Sequence, residues 1–359
     1  MMDGIWILGA TGRVGRAVAS KLAARGLQPV LVGRNGTALG QLAAQIGGNS
    51  VIEAATVETI IAKLDGVRPS VVINTIGPFA ETAVRFARAC PAGTHYVDLC
   101  NELAGTEALL SLNDEAVNTG RTLVTGAGFG VLGTESVVLK LCEGQPNPER
   151  VRADAIPSID SEPGPLGQAL AASLIGVLAE GGRRFENGHL VRSHIFDDFA
   201  AIPLPDGNWV KTAGGANGEL LAARRASKAP FVVAANSLAP SSAILRRTAQ
   251  TLLVLLKSER IRSFAIRRIA AINVRPTSDS RERVSWAHAS AIWPSGAYSE
   301  GWLKIGDAME FTSTVLAEVV VRLHAGGARL GAYTPGALFG PELAEDCGGR
   351  FYFKGASPV

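Results

Sequence analysis

Three glycines spaced three residues apart carry the clearest chemical signal in the chain. Gly9, Gly12 and Gly15 follow an apolar run at residues 5–8 and open a stretch, residues 13–24, in which apolar and small side chains recur with helical period. A buried strand, a glycine turn and a helix in this order form the phosphate-binding opening of a dinucleotide-binding fold. Because glycine has no Cβ, backbone N–H groups can approach a pyrophosphate at the positive end of the helix. The residues predicted to contact it are Gly9, Ala10, Thr11, Gly12, Arg13 and Val14.

The end of the next apolar run predicts which dinucleotide binds. Residues 29–33 have the pattern of a second buried strand, and Arg34 follows at its carboxyl end. In such a site an Asp or Glu binds the ribose 2′-hydroxyl of NAD, whereas an Arg accommodates the 2′-phosphate of NADP. No acid lies between Asp3 and Glu53 along the sequence, so we expect NADP(H) as the cofactor. The predicted contacts here are Gly33, Arg34 and Asn35. Arg13 is either a second phosphate-binding cation or a solvated surface charge.

The composition indicates a soluble α/β protein with two domains. The chain has 359 residues, of which 47% are hydrophobic and 19% are charged, so it is long enough to bury two cores. Its formal net charge of +3 is too small for the basic surface that a nucleic-acid partner requires. The histidines and cysteines show no ligand spacing, and we therefore expect no metal site.

The cysteines and the N-terminal residues indicate the cellular compartment of the protein. Cys90, Cys100, Cys142 and Cys347 are scattered without a CxxC pair, as is typical of reduced thiols in the cytoplasm. The first strand starts so early that no room is left for a signal peptide. No apolar run reaches the roughly 18–20 residues that a membrane-spanning helix needs. We expect a cytoplasmic protein.

The order of the elements predicts the fold class. Strands alternate with helices up to about residue 131, which is typical of an α/β fold with a Rossmann-type, doubly wound parallel sheet. Beyond that point hairpin turns and grouped strands predict a second, α+β domain. Residues 311–323 then have the pattern of a helix, and the tail that follows is rich in Gly and Pro.

Several short motifs occur in an order that is specific enough to compare with known families. They lie at residues 9–12, 32–35, 74–79, 93–99, 126–130 and 331–336. Together they resemble the saccharopine dehydrogenase-like oxidoreductases, which include saccharopine reductases and trans-acting enoyl reductases. The resemblance implies an NADP-binding Rossmann domain at 1–135, an inserted α+β substrate and dimerisation domain at 136–305, and a C-terminal helix and tail at 306–359 that return to the Rossmann domain.

The resemblance also implies individual functional residues. It adds a third group of cofactor contacts, Thr75, Ile76, Gly77 and Pro78. This loop opens at the carboxyl end of a strand, where an open α/β sheet places its ligand. Relatives that act on saccharopine or on larger acyl groups commonly carry an Asp where this chain has Gly130. We therefore do not expect recognition of an amino-acid substrate through a carboxylate at that position.

Three residues at the carboxyl edge of the predicted sheet are candidates for catalysis: Tyr96, Asp98 and Glu102. Hydride transfer needs orientation, a dry pocket and a proton donor from the protein. A carboxyl group at this edge could have a raised pKa and protonate a developing carbanion or amine. Alternatively, Asp98 caps the helix that starts near Asn101, and Tyr96 is a core aromatic residue. The residues alone leave these alternatives open.

Two functions follow from these features. The first is an NADPH-dependent reductase of a C=N or C=C bond in a small or carrier-protein-bound metabolite, acting as a homodimer. The second rests on residues 244–269, where arginines and lysines interleave with leucines. A basic amphipathic helix can bind an anionic membrane surface or an acidic carrier protein, although it can also be a domain helix with a solvated cationic face. The alternative function is therefore an NADP-binding protein without turnover that attaches to a membrane or a partner.

Overall fold

A computed structural model describes most of the chain. The described residues are 4–48, 50–158, 164–165, 167–238, 254–274 and 284–357. The predicted basic segment is therefore described only from residue 254 onward, and residues 244–253 lie outside the described residues. Within these ranges no helix is both long enough and apolar enough to cross a membrane.

The elements fall into two groups along the chain. The first group is β1 (Ile5–Leu8), α1 (Arg13–Ala24), β2 (Val30–Gly33), α2 (Gly36–Gln45), β3 (Val51–Glu53), α3 (Val57–Leu64), β4 (Val71–Asn74), α4 (Phe79–Ala89), β5 (His95–Asp98), α5 (Leu103–Leu110), α6 (Asn113–Asn118), β6 (Thr122–Val124) and α7 (Phe129–Cys142). The second group is β7 (Arg150–Ile156), β8 (Gly164–Pro165), α8 (Gln168–Glu180), β9 (Gly182–Glu186), β10 (His189–Ser193), β11 (Ala200–Pro203), β12 (Trp209–Gly214), α9 (Gly218–Ser227), β13 (Phe231–Asn236), a 3-10 turn (Val254–Lys257), α10 (Glu259–Ala270), β14 (Asn273–Val274), β15 (Ser285–Ile292), β16 (Tyr298–Ile305), α11 (Ala308–Ala325), β17 (Gly331–Tyr333), α12 (Pro335–Phe339), α13 (Glu342–Asp346) and β18 (Arg350–Ser357).

Seven strands form the first sheet, in the order β17–β6–β5–β4–β1–β2–β3. All neighbouring strands run parallel. Ile7, Leu8 and Ile73 are fully buried, because a parallel sheet covered by helices buries both faces of its strands. The strand order reverses between β1 and β4, so the loops after these strands diverge and leave a crevice at the carboxyl edge. The predicted Rossmann-type, doubly wound sheet is confirmed.

The second sheet is mixed and packs on helices that belong to both groups of elements. Its order is β10–β9–β13–β7–β15–β16–β18, and the hairpin of β11 and β12 attaches to β13. Alanines such as Ala153, Ala287 and Ala289 line one face and are fully buried. These small side chains let α7 lie close, since a Cβ at Gly133 would come within 3.1 Å of the Ala287 Cβ. Helix α7 leaves β6 of the first sheet and covers the second, so it joins the two domains.

Buried charged residues connect strands on the opposite face of the second sheet. The Oδ2 of Asp154 lies 2.9 Å from Nδ1 of His288, and its Oδ1 accepts from Thr212 Oγ1 at 2.6 Å. Arg152 Nη2 lies 2.9 Å from Asp154 Oδ1. On the other side of the imidazole, Glu300 Oε2 lies 3.7 Å from His288 Nε2. These contacts tie β12, β7, β15 and β16 together.

Only part of the C-terminal segment returns to the first domain. Helix α11 packs on α1 through contacts that include the ion pair of Arg25 and Glu318 at 2.8 Å, and β17 pairs with β6. Strand β18, however, pairs with β16 in the second sheet. Of the predicted C-terminal helix and tail at 306–359, α11 and β17 thus contact the first domain and β18 lies in the second sheet, and the predicted domain bounds stay a prediction. The aromatic ring of Phe353 fills the space beside Gly301, where a Cβ would lie 2.5 Å from the ring.

Candidate functional site

The glycine turn after β1 is held against β2 and against the loop that follows β4. The N–H groups of Gly9 and Ala10 donate to the carbonyl oxygen of Val32 at 2.9 and 3.0 Å. Gly9 has a φ of +80°, which side chains with a Cβ rarely adopt, and a Cβ there would lie 2.7 Å from Thr75 Oγ1. A Cβ at Gly15 would lie 2.4 Å from the carbonyl oxygen of Gly9. The glycine spacing therefore follows from the packing of the turn, as well as from the need to admit a ligand.

The N-terminus of α1 has the features of an anion site. Gly12 is its N-cap and is exposed. Among the described residues no side chain caps this helix end, and its first turn contains no acid. Thr11, Arg13 and Val14 surround Gly12 and are half-buried, whereas Ala10 is buried beneath the turn. Backbone N–H groups at a helix N-terminus, with space left by glycine, are suited to a pyrophosphate.

The end of β2 carries the residues predicted to select the cofactor. Arg34 is exposed, and within the described part of the chain no ion pair includes it. The Asn35 side chain accepts from the N–H of Ala38 at 3.0 Å and caps α2. A Cβ at Gly36 would lie 2.3 Å from Glu53 Oε2. No acid lies close to Arg34 in the sequence, but β3 pairs with β2 and brings Glu53 close to this strand end in the structure. The Glu53 carboxylate lies at the positive, N-terminal end of α2.

The loop after β4 lies at the same edge of the sheet as the glycine turn. Thr75 Oγ1 donates to the carbonyl oxygen of Gly9 at 3.2 Å. Ile76, Gly77 and Pro78 are half-buried and lead into α4, whose N-cap is Pro78. The structure therefore brings all three groups of predicted cofactor residues to one edge of the sheet. Their contacts with a cofactor stay predictions.

Asp98 and Tyr96 form a buried hydrogen-bond network at the ends of β5 and β6. Asp98 Oδ1 accepts from the N–H of Cys100 at 3.0 Å, from Thr125 Oγ1 at 2.8 Å and from the N–H of Gly126 at 3.3 Å. Its Oδ2 accepts from the hydroxyl of Tyr96 at 3.0 Å. Burial raises the pKa of Asp98, and the hydrogen bonds offset part of that rise. The carboxylate holds the two strand ends in register.

These hydrogen bonds indicate that Tyr96 and Asp98 stabilise the fold. Helix α5 begins at Leu103 with Glu102 as its N-cap, so Asp98 binds loop amides and does not cap the helix as the alternative prediction proposed. Tyr96 is a fully buried core residue whose hydroxyl accepts from Asn74 Nδ2 at 3.0 Å. Burial and the nearby Asp98 raise the pKa of Tyr96 well above its ordinary value. A catalytic role for either residue stays a prediction.

Glu102 lies where the loop after β4 meets the second domain. Its Oε2 accepts from the N–H of Ala80 at 2.7 Å and its Oε1 from the N–H of Phe79 at 3.3 Å. It thereby caps α4 from a distance in sequence. On its other side α8 approaches closely, since a Cβ at Gly176 would lie 3.8 Å from the carboxyl carbon of Glu102. Burial raises the pKa of Glu102.

A further buried carboxyl group near Glu102, that of Glu219, was not found by sequence reasoning. It belongs to the first turn of α9 and is 2% exposed. Its Oε1 lies 2.2 Å from the position that a Cβ of Gly130 would occupy. The Asn101 amide, oriented with its nitrogen toward the carboxylate, donates to the two oxygens at 3.2 and 2.5 Å. Burial raises the pKa of Glu219 to about 7. The one available signal was the missing side chain at Gly130.

The residues just before Glu219 join the same cluster. Asn217 pairs with Glu102 through an isolated antiparallel β-bridge, and the N–H of Gly218 donates to the carbonyl oxygen of Asn101 at 3.0 Å. The Oδ1 of Asn217 is buried and has no hydrogen-bond partner within the described part of the chain. The first turn of α9 therefore brings two acceptor side chains to the carboxyl edge of the first sheet.

Comparison with protein families decides what the first domain is. Residues 5–124 match the family model described as the saccharopine dehydrogenase NADP binding domain. Residues 5–124 form a saccharopine dehydrogenase-type NADP-binding domain. The predicted family resemblance and the predicted NADP(H) cofactor are thereby confirmed for this domain. The match ends before α7, so it does not include the second sheet.

Solved structures extend the comparison to the whole fold. The chain is similar to saccharopine dehydrogenase (L-Glu forming) from Saccharomyces cerevisiae, with a TM-score of 0.60, 13% identity, and coverage of 98% of this chain and 99% of that chain. At this identity the likeness concerns the fold alone. The match with serine dehydrogenase from Escherichia coli has 13% identity and a TM-score of 0.30, and it covers 34% of this chain and 80% of that chain. The match with a short-chain dehydrogenase from Sphingobium yanoikuyae in complex with NADPH has 18% identity and a TM-score of 0.29, and it covers 34% of this chain and 71% of that chain. No curated protein matches the chain in sequence.

The NADP-binding domain offers a consistent set of positions for its cofactor. The glycine turn and the N-terminus of α1 are suited to the pyrophosphate, and Arg34 stays the predicted contact of the 2′-phosphate. The loop at Thr75–Pro78 and the cluster around Glu102 and Glu219 lie farther along the same edge, where we expect the nicotinamide end. In the described ranges no group of three or more His, Cys, Asp or Glu side chains could hold a metal ion.

Proposed function

We propose that the protein is an NADPH-dependent oxidoreductase that reduces a C=N or C=C bond of a small or carrier-bound metabolite. The observation that carries this proposal is the convergence of two features at the carboxyl edge of the first sheet. One is the NADP-binding glycine turn. The other is the pair of buried carboxyl groups of Glu102, at the start of α5, and Glu219, in the first turn of α9. When bound, NADPH supplies a hydride, and the protein supplies orientation, exclusion of water and a proton.

The environment of the carboxyl groups fits a reduction that needs a proton. Adding hydride to the carbon of a C=N or C=C bond places an electron pair on the neighbouring atom, which must then be protonated. Burial raises the pKa of Glu102. It raises the pKa of Glu219 to about 7, so about half of the Glu219 carboxyl groups are protonated at neutral pH. A general acid works best when its pKa is close to the working pH.

Binding and turnover test this function separately. Quenching of protein fluorescence by NADPH and NADH measures cofactor affinity, and loss of NADPH absorbance measures turnover with a panel of imines and of enoyl thioesters. We expect tighter binding of NADPH than of NADH and turnover with one of the two bond classes. If NADPH binds but neither class supports turnover above a control without enzyme, the proposed reaction is wrong.

A second candidate function rests on the surface of α10. Ile261 and Phe264 are 40% and 59% exposed, and Arg260, Arg267 and Arg268 on the same helix are also exposed. Apolar side chains beside arginines are suited to an anionic membrane surface. The protein would then bind NADP without turnover while attached to that surface. Co-sedimentation with phosphatidylglycerol vesicles tests it, and equal sedimentation of wild type and the variant Phe264→Ser/Arg268→Glu would exclude this role for α10.

A further inference from the structure

The carboxyl group of Glu219 occupies the side-chain space of another residue. Gly130 is the second residue of α7, directly after the loop that follows β6. With Glu219 Oε1 only 2.2 Å from the position of a Cβ at residue 130, no side chain fits there without displacing the carboxylate. Helix α9 of the second domain therefore places a carboxyl group at a site on the first domain that α7 itself leaves empty.

The hydrogen bonds that Glu219 accepts come from a neighbouring amide side chain and from its own backbone, and they are fewer than those of Asp98. Asp98 accepts from four donors, and Glu135 accepts from a hydroxyl and from the N–H of Gly336 at 2.9 Å. Glu102 caps α4 through two amides. Glu219 accepts from the Asn101 amide, the only side-chain donor to it in the described part of the chain, and from its own backbone N–H. A carboxylate offers about four acceptor sites, so Glu219 can accept a further hydrogen bond from a ligand.

A second buried acceptor lies close to Glu219 in the sequence. Asn217, two residues earlier in the same turn, is 2% exposed and its Oδ1 lacks a partner among the described residues. Leaving a buried acceptor without a partner is energetically unfavourable. The N-cap of α9 thus carries a buried acceptor without a partner in the described part of the chain, two residues before Glu219.

We propose that Glu219 is the residue that exchanges a proton with the substrate. This inference rests on the proposed reductase function. The carbon of the double bond accepts the hydride, the π electron pair moves to the neighbouring nitrogen or carbon, and the proton on the Glu219 carboxyl group passes to that atom. Glu219 is left as a carboxylate, which the Asn101 amide stabilises by donating to both oxygens, and it regains a proton from solvent. Asn101 is then a positioning residue.

Turnover of variants tests the proposal, with Glu135→Gln as the matched control. Glu135 is fully buried and burial also raises its pKa to about 7, but its carboxylate holds the start of α12. For wild type and Glu135→Gln we expect kcat to fall as the pH rises above about 7. Glu219→Gln should lose about 100-fold or more in kcat and should lose this limb of the pH profile. Retention of both kcat and the pH profile in Glu219→Gln would overturn the role of Glu219 and leave the reductase function standing.

Attaching the carboxyl group to α7 instead of α9 tests whether turnover depends on the position of this group or on the contribution of Glu219 to the fold. In Glu219→Ala/Gly130→Asp a carboxylate attached to α7 enters the space that Glu219 vacates. We expect this double variant to recover at least about tenfold in kcat over Glu219→Ala, since general acids contribute about 10²–10⁴-fold. If it recovers none while thermal unfolding shows that it is folded, the proposed role is wrong.

An infrared titration gives a readout that does not depend on turnover. The C=O stretch of a protonated carboxyl group should titrate near pH 7 in Glu135→Gln and be lost in Glu135→Gln/Glu219→Gln. Because oxidised nicotinamide carries a positive charge, NADP⁺ should lower the midpoint of this band more than NADPH does. Identical midpoints in the free protein and in both complexes would place Glu219 away from the nicotinamide and overturn the proposal. Failure of NADPH itself to bind would instead overturn the proposed function, and the proton role with it.

Discussion

Replacing Gly15 by alanine should damage the cofactor site without changing any residue predicted to touch the cofactor. The new Cβ would lie 2.4 Å from the carbonyl oxygen of Gly9 and 2.9 and 3.0 Å from the Cα and carbonyl oxygen of Ala10. All three are backbone atoms, so no side chain can rotate away, and the turn or α1 must move. Forcing a methyl group into packed structure costs about 1–3 kcal/mol, which the better helix propensity of alanine offsets by up to about 1 kcal/mol.

The same displacement should weaken binding of NADPH. A shift of the glycine turn misaligns backbone N–H groups with the pyrophosphate, and a lost hydrogen bond to a charged group is worth about 1.5–3 kcal/mol. At about 1.4 kcal/mol for each factor of ten, NADPH affinity should fall about ten- to hundredfold. NADH carries the same pyrophosphate, so its affinity should fall by a similar factor.

Gly40→Ala is the matched control for this substitution. Gly40 lies in α2, is exposed, and would place its new Cβ within 4 Å of no other atom. The alanine should therefore stabilise the protein by about 0.8–1 kcal/mol through helix propensity and leave cofactor binding unchanged. Urea unfolding and fluorescence titration with NADPH compare the two variants. If Gly15→Ala proves as stable as Gly40→Ala and binds NADPH as wild type does, the packing account of the glycine turn is refuted.

Three further predictions follow from the charged residues. Asp98→Asn removes a charge that accepts four hydrogen bonds and should destabilise the protein by about 2–4 kcal/mol in urea unfolding; a change below about 1 kcal/mol would contradict the structural role. Glu53→Gln removes a negative charge near the predicted 2′-phosphate site and should strengthen NADPH binding by about 0.2–1 kcal/mol with little effect on NADH; weaker NADPH binding would count against this geometry. Burial alone would lower the pKa of His288, but hydrogen bonds and charge interactions with Asp154 and Glu300 raise it above 6.5. The protonated imidazole therefore stabilises the folded protein fully below pH 6.5, and this stabilisation is lost as the pH rises through the raised pKa. The difference in free energy of unfolding between wild type and His288→Gln should accordingly shrink with rising pH, and a difference that grows would contradict the assignment.

The sequence was sufficient for the architecture of the first domain, and the reason is physical. Strands buried on both faces give uninterrupted apolar runs, as at residues 5–8, and the helices between them keep their own period. The glycine turn could also be located, because a φ of +80° at Gly9 and a close backbone contact at Gly15 restrict both positions to glycine. Burial of a strand and the tight packing of a turn each restrict the residue types of neighbouring positions, so both can be predicted from a short stretch of sequence.

Contacts between distant segments left no such signature. The position of Glu53 beside Gly36 depends on the register of β2 and β3, and that of Glu219 over Gly130 depends on how the second domain packs on the first. Asp98 ends β5, whereas Tyr96 is the second of its four residues and lies in the core. Period-two alternation states only which face of a strand a side chain takes. It does not state whether that face is filled by protein, as it is here, or open to a ligand.

Dissociation constants for NADPH and NADH, measured for wild type and for Arg34→Ala, test the central claim most directly. A charge-assisted contact with the 2′-phosphate is worth about 1.5–3 kcal/mol, or about ten- to hundredfold in affinity. We predict that wild type binds NADPH more tightly than NADH, and that Arg34→Ala loses this factor for NADPH while its affinity for NADH stays unchanged. A parallel loss for both cofactors, or no loss for either, would contradict the assignment of Arg34 to the 2′-phosphate.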